Sequence, residues 1–198
     1  MSSNLLLALA AFSLVSSITP GPNNLMLMAS GANFGFGRTL PHMMGVTIGF
    51  TFMVFVVGIG LASAFDAYPA AHDVLKVVSV AYLLYLAWKI ANASGPGERS
   101  ASVRPMTFLQ AAAFQWVNPK AWAMALTAIS VYSPDHGLAA ALFTALVFGV
   151  INLPSVSIWV VAGRELRRFL TSPVRLRAFN VAMALLLVAT LYPVIFPR

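Results

Sequence analysis

Six long apolar stretches, at about 4–35, 39–64, 74–93, 106–131, 137–162 and 178–196, alternate with short polar connectors along this chain. Each is close to the ~20 residues that cross ~30 Å of hydrocarbon. The pattern therefore predicts an all-α integral membrane fold with six transmembrane helices, a single transmembrane domain over 1–198. The longest polar connector, Ala93 to Pro105, holds Ser94-Gly95-Pro96-Gly97-Glu98-Arg99-Ser100, a turn-rich linker near the midpoint. It separates a first repeat of about 1–93 from a second of about 106–198, with 94–105 as linker. Three spans in each half make the second repeat inverted relative to the first. The first helix of each half is interrupted, by Thr19-Pro20-Gly21-Pro22-Asn23-Asn24 and by Asn118-Pro119-Lys120.

Composition supports the membrane assignment. The 198 residues are 60% hydrophobic and 9% charged, against about a quarter charged in soluble domains. The absence of cysteine removes disulfides, thiolate metal sites and thiol redox relay, and no cofactor is expected. The net charge is +7, and nine of the twelve basic residues lie in or beside three connectors, around Arg38, around Lys89, Arg99 and Arg104, and around Arg164, Arg167, Arg168, Arg175 and Arg177. Lys and Arg concentrate on the cytoplasmic side, so these connectors are expected in the cytoplasm and both termini outside. No aromatic-interleaved basic patch points to nucleic acid. Residues 1–20 lack the basic start and small-residue cleavage site of a signal peptide and are expected to be retained. Gly31-x-x-x-Gly35 and Gly45-x-x-x-Gly49 suit close helix packing within the chain; a homo-oligomer face is the lesser alternative. Trp88, Tyr132 and Tyr192, near span ends, fit interfacial anchors in contact with lipid.

The interruptions carry the chemistry. Backbone groups freed in lipid need partners, so non-helical backbone survives there where it lines a site. Asn118 suits an N-cap and Pro119 the first helical position; Gly21 and Pro22 can do the same in the first break. Each break then points free N–H groups and a positive dipole end into the membrane interior, an anion site suited to a carboxylate. Thr19, Asn23, Asn24 and Asn118 add neutral donors and acceptors for a zwitterion. A simple proline kink is the plain alternative for either break alone. Lys120 lies ~18–21 Å along its helix from Met106 and Tyr132, too deep to reach water easily. No carboxylate falls inside a predicted span, since Asp66, Asp73, Glu98, Asp135 and Glu165 sit at ends or in connectors. Its partner is therefore either a carbonyl of the first break or a bound carboxylate. Lys120 and His42 are the candidates for proton coupling, although His42, near the start of its span, is expected to cap or face the cytoplasm. Gln115 and Asn152, the latter within Asn152-Leu153-Pro154-Ser155-Val156-Ser157, are weaker lining candidates; a kink eased by serine hydroxyls is expected at Pro154.

Thr19-Pro20-Gly21-Pro22-Asn23-Asn24, then Gly35-Phe36-Gly37-Arg38, then Asn118-Pro119-Lys120, resemble the lysine exporter (LysE/RhtB) family of bacterial amino-acid efflux proteins over essentially the whole chain. Gln115 to Lys120 and the ending from Phe179-Asn180 to Val188 look nearest to its cysteine and O-acetylserine exporter branch. The resemblance implies a bacterial inner-membrane exporter of amino acids or close derivatives, driven by protons. The lack of membrane carboxylates disfavours a dibasic substrate, whose extra cation would want an acidic partner, and favours a small neutral amino acid. No H-E-x-x-H, G-x-S-x-G or membrane Asp pair suggests an enzyme. A passive channel or a membrane assembly subunit is the other reading that the residues allow.

Overall fold

The computed structural model describes residues 3–61, 70–93, 104–133 and 137–196. The connectors at Asp66 and at Asp135-His136, and the linker segment with Glu98 and Arg99, lie outside the described residues. Among the described residues every element is helical. In chain order, α1 is Ser3–Ile18, α2 Pro22–Phe34, α3 Phe36–Val56, α4 Ala70–Ala91, α5 Phe108–Phe114, α6 Pro119–Tyr132, α7 Leu138–Leu166, α8 Pro173–Ala189 and α9 Tyr192–Ile195. A π turn, Val57–Leu61, extends α3, and 3-10 turns, Gln115–Val117 and Arg167–Phe169, follow α5 and α7.

Local chemistry sets these boundaries. Pro22, Pro119 and Pro173 all open helices, because proline lacks only an N–H that would be unpaired there. Thr107 and Gln110 form a reciprocal capping box that starts α5, with bonds of 3.2 and 3.0 Å. Gly35 ends α2 at φ +79°, a conformation that side chains disfavour. Among the described residues four helices, counted with their continuing turns, are long and apolar enough to cross a membrane: Phe36–Leu61, Asp73–Ala91, Leu138–Phe169 and Pro173–Ile195. The pair α1 and α2, bent by 53° at the first break, makes a fifth.

With lipid tails as apolar as leucine, helices associate through close approach rather than hydrophobic burial. The long α7 receives α1, α2 and α3. Gly31 faces the Val160 carbonyl and Gly163 the Met28 carbonyl, so α2 and α7 touch backbone to backbone from both sides. Gly45 and Gly49 likewise seat α5, at Phe108 and Ala112. The expected local packing thus holds for Gly31, Gly45 and Gly49, whereas Gly35 is used for its backbone angle. Pro154 sits inside an unbroken α7, where Ser155 and Ser157 donate to the Ile151 and Leu153 carbonyls at 2.8 and 2.7 Å. Trp88 and Tyr192 are exposed as anchors should be, but Tyr132 stacks on Phe12 at 5.4 Å and is tied into the packing.

Two apolar clusters form the core. One gathers Leu25, Met43, Phe114, Val156, Val160 and Leu187; the other gathers Leu9, Phe50, Met53, Ala125, Ile129 and Phe148. Buried polar side chains of Ser17, Asn24, Gln115, Asn118 and Asn152 meet where α1 stops and where α2 and α6 begin.

Candidate functional site

Both interruptions arrive at one place. From it α2 runs toward Gly35, where an added Cβ would lie 3.7 Å from the Arg167 guanidinium, while α6 runs the other way to Tyr132, beside Phe12 of α1. The two half-helices therefore present their N-termini to the same small cavity, lined by Ser17, Gly21, Asn23, Asn118, Lys120 and Asn152 among others. No Asp or Glu lines it. As it stands the space takes about one or two water molecules.

The sequence expected Gly21 and Asn118 to cap these helices, and they do. Asn118 Oδ1 accepts from the Lys120 backbone N–H at 3.2 Å. Gly21, in extended conformation, offers no side chain to the start of α2. Among the described residues, the backbone N–H groups of Asn23, Asn24 and Ala121 have no acceptor. These are orphan donors of helix N-termini, with the positive end of each dipole behind them.

The opposite problem, the carbonyls at the end of α1, is solved by side chains. Asn24 Nδ2 donates to the Ser17 and Thr19 carbonyls at 2.8 and 2.9 Å. Trp159 Nε1, from α7, donates to the Ile18 carbonyl at 3.1 Å. Lys120 Nζ, from α6, donates to the Thr19 carbonyl at 2.6 Å. The broken backbone, one of the two partners that the sequence left open for Lys120, does bond it. An ammonium has three donors, and one is used here. The half-buried Lys120 aliphatic chain packs against Gly21, where an added Cβ would fall 2.6 Å from Cδ.

Several side chains expected to face a ligand are instead bonded within the protein. Thr19 Oγ1 returns to the Val15 carbonyl at 2.5 Å. Asn23 and Gln115 form a reciprocal pair at 2.8 and 3.2 Å, and Gln115 also holds the Ala111 carbonyl at 2.8 Å. Pro20 and Pro22 shape the break, and Pro119 opens α6. Asn152, a weaker candidate from sequence, gains weight: its Nδ2 donates to Ser17 Oγ at 3.1 Å, while its buried Oδ1 has no partner. An acceptor left so costs about 1–3 kcal/mol, which a ligand donor would recover. Ser17 and Trp159 went unnoticed in the sequence. Serine and tryptophan are unremarkable in membrane helices, and only the bend of α1 brings its carbonyls to them.

His42 departs from expectation. Rather than capping α3 or facing outward it is 2% exposed, and neither ring nitrogen is bonded. It lines a second cavity, with Ser30, Asn33, Lys89 and Arg104. The basic residues gather at that end. Arg38 lies over the Phe34 ring at 5.6 Å, and Glu165 pairs with Arg164 at 2.7 Å and with Arg168. Nearby, Asn33 and Asn180 bond reciprocally at 2.7 and 3.1 Å, and Asn180 also reaches the Ala93 carbonyl at 2.9 Å, tying α2, α4 and α8.

The chain is 30% identical to proteins named cysteine/O-acetylserine efflux protein from Escherichia coli strain K12, from Escherichia coli O1:K1 and from Shigella sonnei. In each case the match runs over 191 residues, 95% of this chain and 96% of the relative. No solved structure matches. The family model of the LysE type translocator matches residues 14–190, both interruptions included. With that match over most of its length and relatives that cover it almost end to end, the chain belongs to the LysE-type translocators, membrane transport proteins rather than enzymes.

Proposed function

We propose that the protein is a secondary transporter that exports small neutral amino acids or their close derivatives from the cytoplasm, with the substrate carboxylate held between the N-termini of α2 and α6. The observation that carries this is the shared cavity. Two helix N-termini with unpaired N–H groups and the Lys120 ammonium surround it, and it contains no carboxylate of its own. Positive potential without a protein anion suits an anionic ligand group. Asn152 Oδ1 is the acceptor available for the substrate ammonium. A dibasic substrate would bring a second cation to a site with no acid to receive it. The names of the relatives favour O-acetylserine and cysteine as the first substrates to try.

In this reading the chain spans the bilayer six times as two inverted repeats, with α5 and α6 together as the fourth crossing. The opposite directions of α2 and α6 away from the shared site support the inversion. The basic end faces the cytoplasm and the termini lie outside, as the distribution of Lys and Arg favours. The cavity is too small for an amino acid, so transport requires the halves to rock open on each side in turn. Export is driven by the proton gradient, with Lys120 or His42 as carrier, since the described spans offer no internal carboxylate.

Counterflow in proteoliposomes tests this reading. Vesicles loaded with O-acetyl-L-serine should accumulate labelled O-acetyl-L-serine saturably, and an imposed pH gradient should accelerate the flux. Unsaturable flux without counterflow would instead mean a passive channel, and no flux of any small amino acid would leave an assembly role. Proton coupling through these two residues is wrong if His42→Gln, Lys120→Gln and the double variant all retain wild-type dependence on the gradient.

A further inference from the structure

The second cavity, at the basic end, holds more than an accident of packing requires. His42 on α3 reaches it fully buried, with Nδ1 and Nε2 both unbonded. Buried polar atoms are paired in nearly all folded proteins, and an unpaired pair on one ring calls for a partner not yet in view. Lys89 on α4 and Arg104, just before α5, line the same space, and neither makes an ion pair among the described residues. Ser30, whose hydroxyl lies 2.9 Å from that of Thr39 behind it, and Asn33 add polar residues to the lining. The cavity has room for about four or five water molecules, more than the space between the half-helices.

We infer that this cavity is a second, loading site for the substrate, in which Lys89 and Arg104 attract the carboxylate of an amino acid and the His42 imidazole hydrogen-bonds it. Either form of the ring can serve: neutral imidazole supplies one donor and one acceptor, the charged ring two donors. The site rests on the export reading in taking an amino acid as its ligand. It is separate from the central one. Helix α2 connects them, and Ser30 lies roughly 13 Å along its axis from Gly21. Met26, Met43 and Phe114, on α2, α3 and α5, pack in one buried apolar layer of the core. A substrate would gather here at the basic face and pass to the half-helix termini when that layer parts.

The chain contains three histidines, so the full-length protein with 15N-labelled histidine, purified in an uncharged detergent, gives a readout independent of transport. The His42 signals are identified by their loss in His42→Gln. On titration with O-acetyl-L-serine, and with sodium acetate against sodium chloride of equal strength, they should move saturably. The movement should persist in Lys120→Gln and should require at least fivefold more ligand in Lys89→Gln/Arg104→Gln. Wild-type signals that stay still with both ligands would overturn the inference, as would unchanged affinity in the double variant or loss of the response in Lys120→Gln. Movement with phosphatidylglycerol in nanodiscs but with neither carboxylate would assign the cavity to a lipid headgroup and equally overturn it. The acetate arm keeps the two readings apart. Saturable movement with acetate alongside absent counterflow would sustain the carboxylate site while defeating the export reading; counterflow without any movement would do the reverse.

Discussion

The Lys120 ammonium donates a 2.6 Å hydrogen bond to the Thr19 carbonyl, joining residues 101 positions apart in the chain. One bond thereby fastens the first interruption of the chain to the second. It also gives a lysine in a predicted span, which costs on the order of 3 kcal/mol to insert, a partner supplied by broken backbone. Two of its N–H groups make no bond among the described residues.

Lys120→Met should fold and insert yet export at no more than about a tenth of the wild-type rate, because it removes a cation from beside the carboxylate and can be worth ~1.4 kcal/mol or more. Counterflow normalised to inserted protein checks this. Wild-type rates in the inserted variant would sink the substrate role of Lys120 and leave it a structural tie.

Gly21→Ala probes the same contact without touching charge. The backbone at Gly21 is extended, at φ −173°, and any residue adopts it, so the effect falls on the neighbour. The new Cβ would lie 2.6 Å from Lys120 Cδ and 3.1 Å from Nζ, and the lysine must shift. Transport should drop severalfold while the melting temperature in detergent moves by only a few degrees.

Asn24→Leu should behave in the opposite way, as a stability variant first. It strips the Ser17 carbonyl of its 2.8 Å donor and leaves the Thr19 carbonyl, which loses a 2.9 Å bond, to Lys120 alone. Each group left unpaired costs about 1–3 kcal/mol. At ~2–4 °C per kcal/mol for a chain of this size, a fall on the order of 5 °C or more is expected. A thermal shift in detergent measures it, and an unchanged melting temperature would show that water replaces the amide there.

Gly31→Ala and Gly37→Ala form a matched pair. A Cβ at Gly31 would meet the Val160 carbonyl of α7, whereas one at Gly37 meets nothing within 4 Å. The first should lower the yield of monodisperse protein several-fold and the second should leave it unchanged; equal yields would remove the backbone contact between α2 and α7 from the account of stability.

Orientation is open to a direct map. Reporters fused after Arg38 and Arg99 should read as cytoplasmic, and those after Asp135 and Arg198 as external. The reverse at all four would invert the protein and turn the His42 cavity outward.

Much of the architecture was legible in the chain itself. Apolar length fixes helices in lipid, where no other open structure satisfies the backbone. Gly21-Pro22 and Asn118-Pro119 state where half-helices begin, because capping is decided within a few residues. The absence of intramembrane acids is likewise a property of sequence. The roles of individual polar side chains were not legible. Thr19, Asn23 and Asn24 read as polar groups for a substrate and Gln115 as a weaker lining candidate, and in the fold they bond one another or nearby backbone. Asn152 read as weak and emerges with an unpaired oxygen at the cavity. His42 read as outward-facing and is buried. Hydrogen bonds depend on distance and direction between segments far apart in the chain, and these are set only when α1 bends by 53° and α2 packs on α7 through Gly31 and Gly163. Sequence determined which backbone groups would lack partners; tertiary packing decided which side chains supply them and which donors stay free.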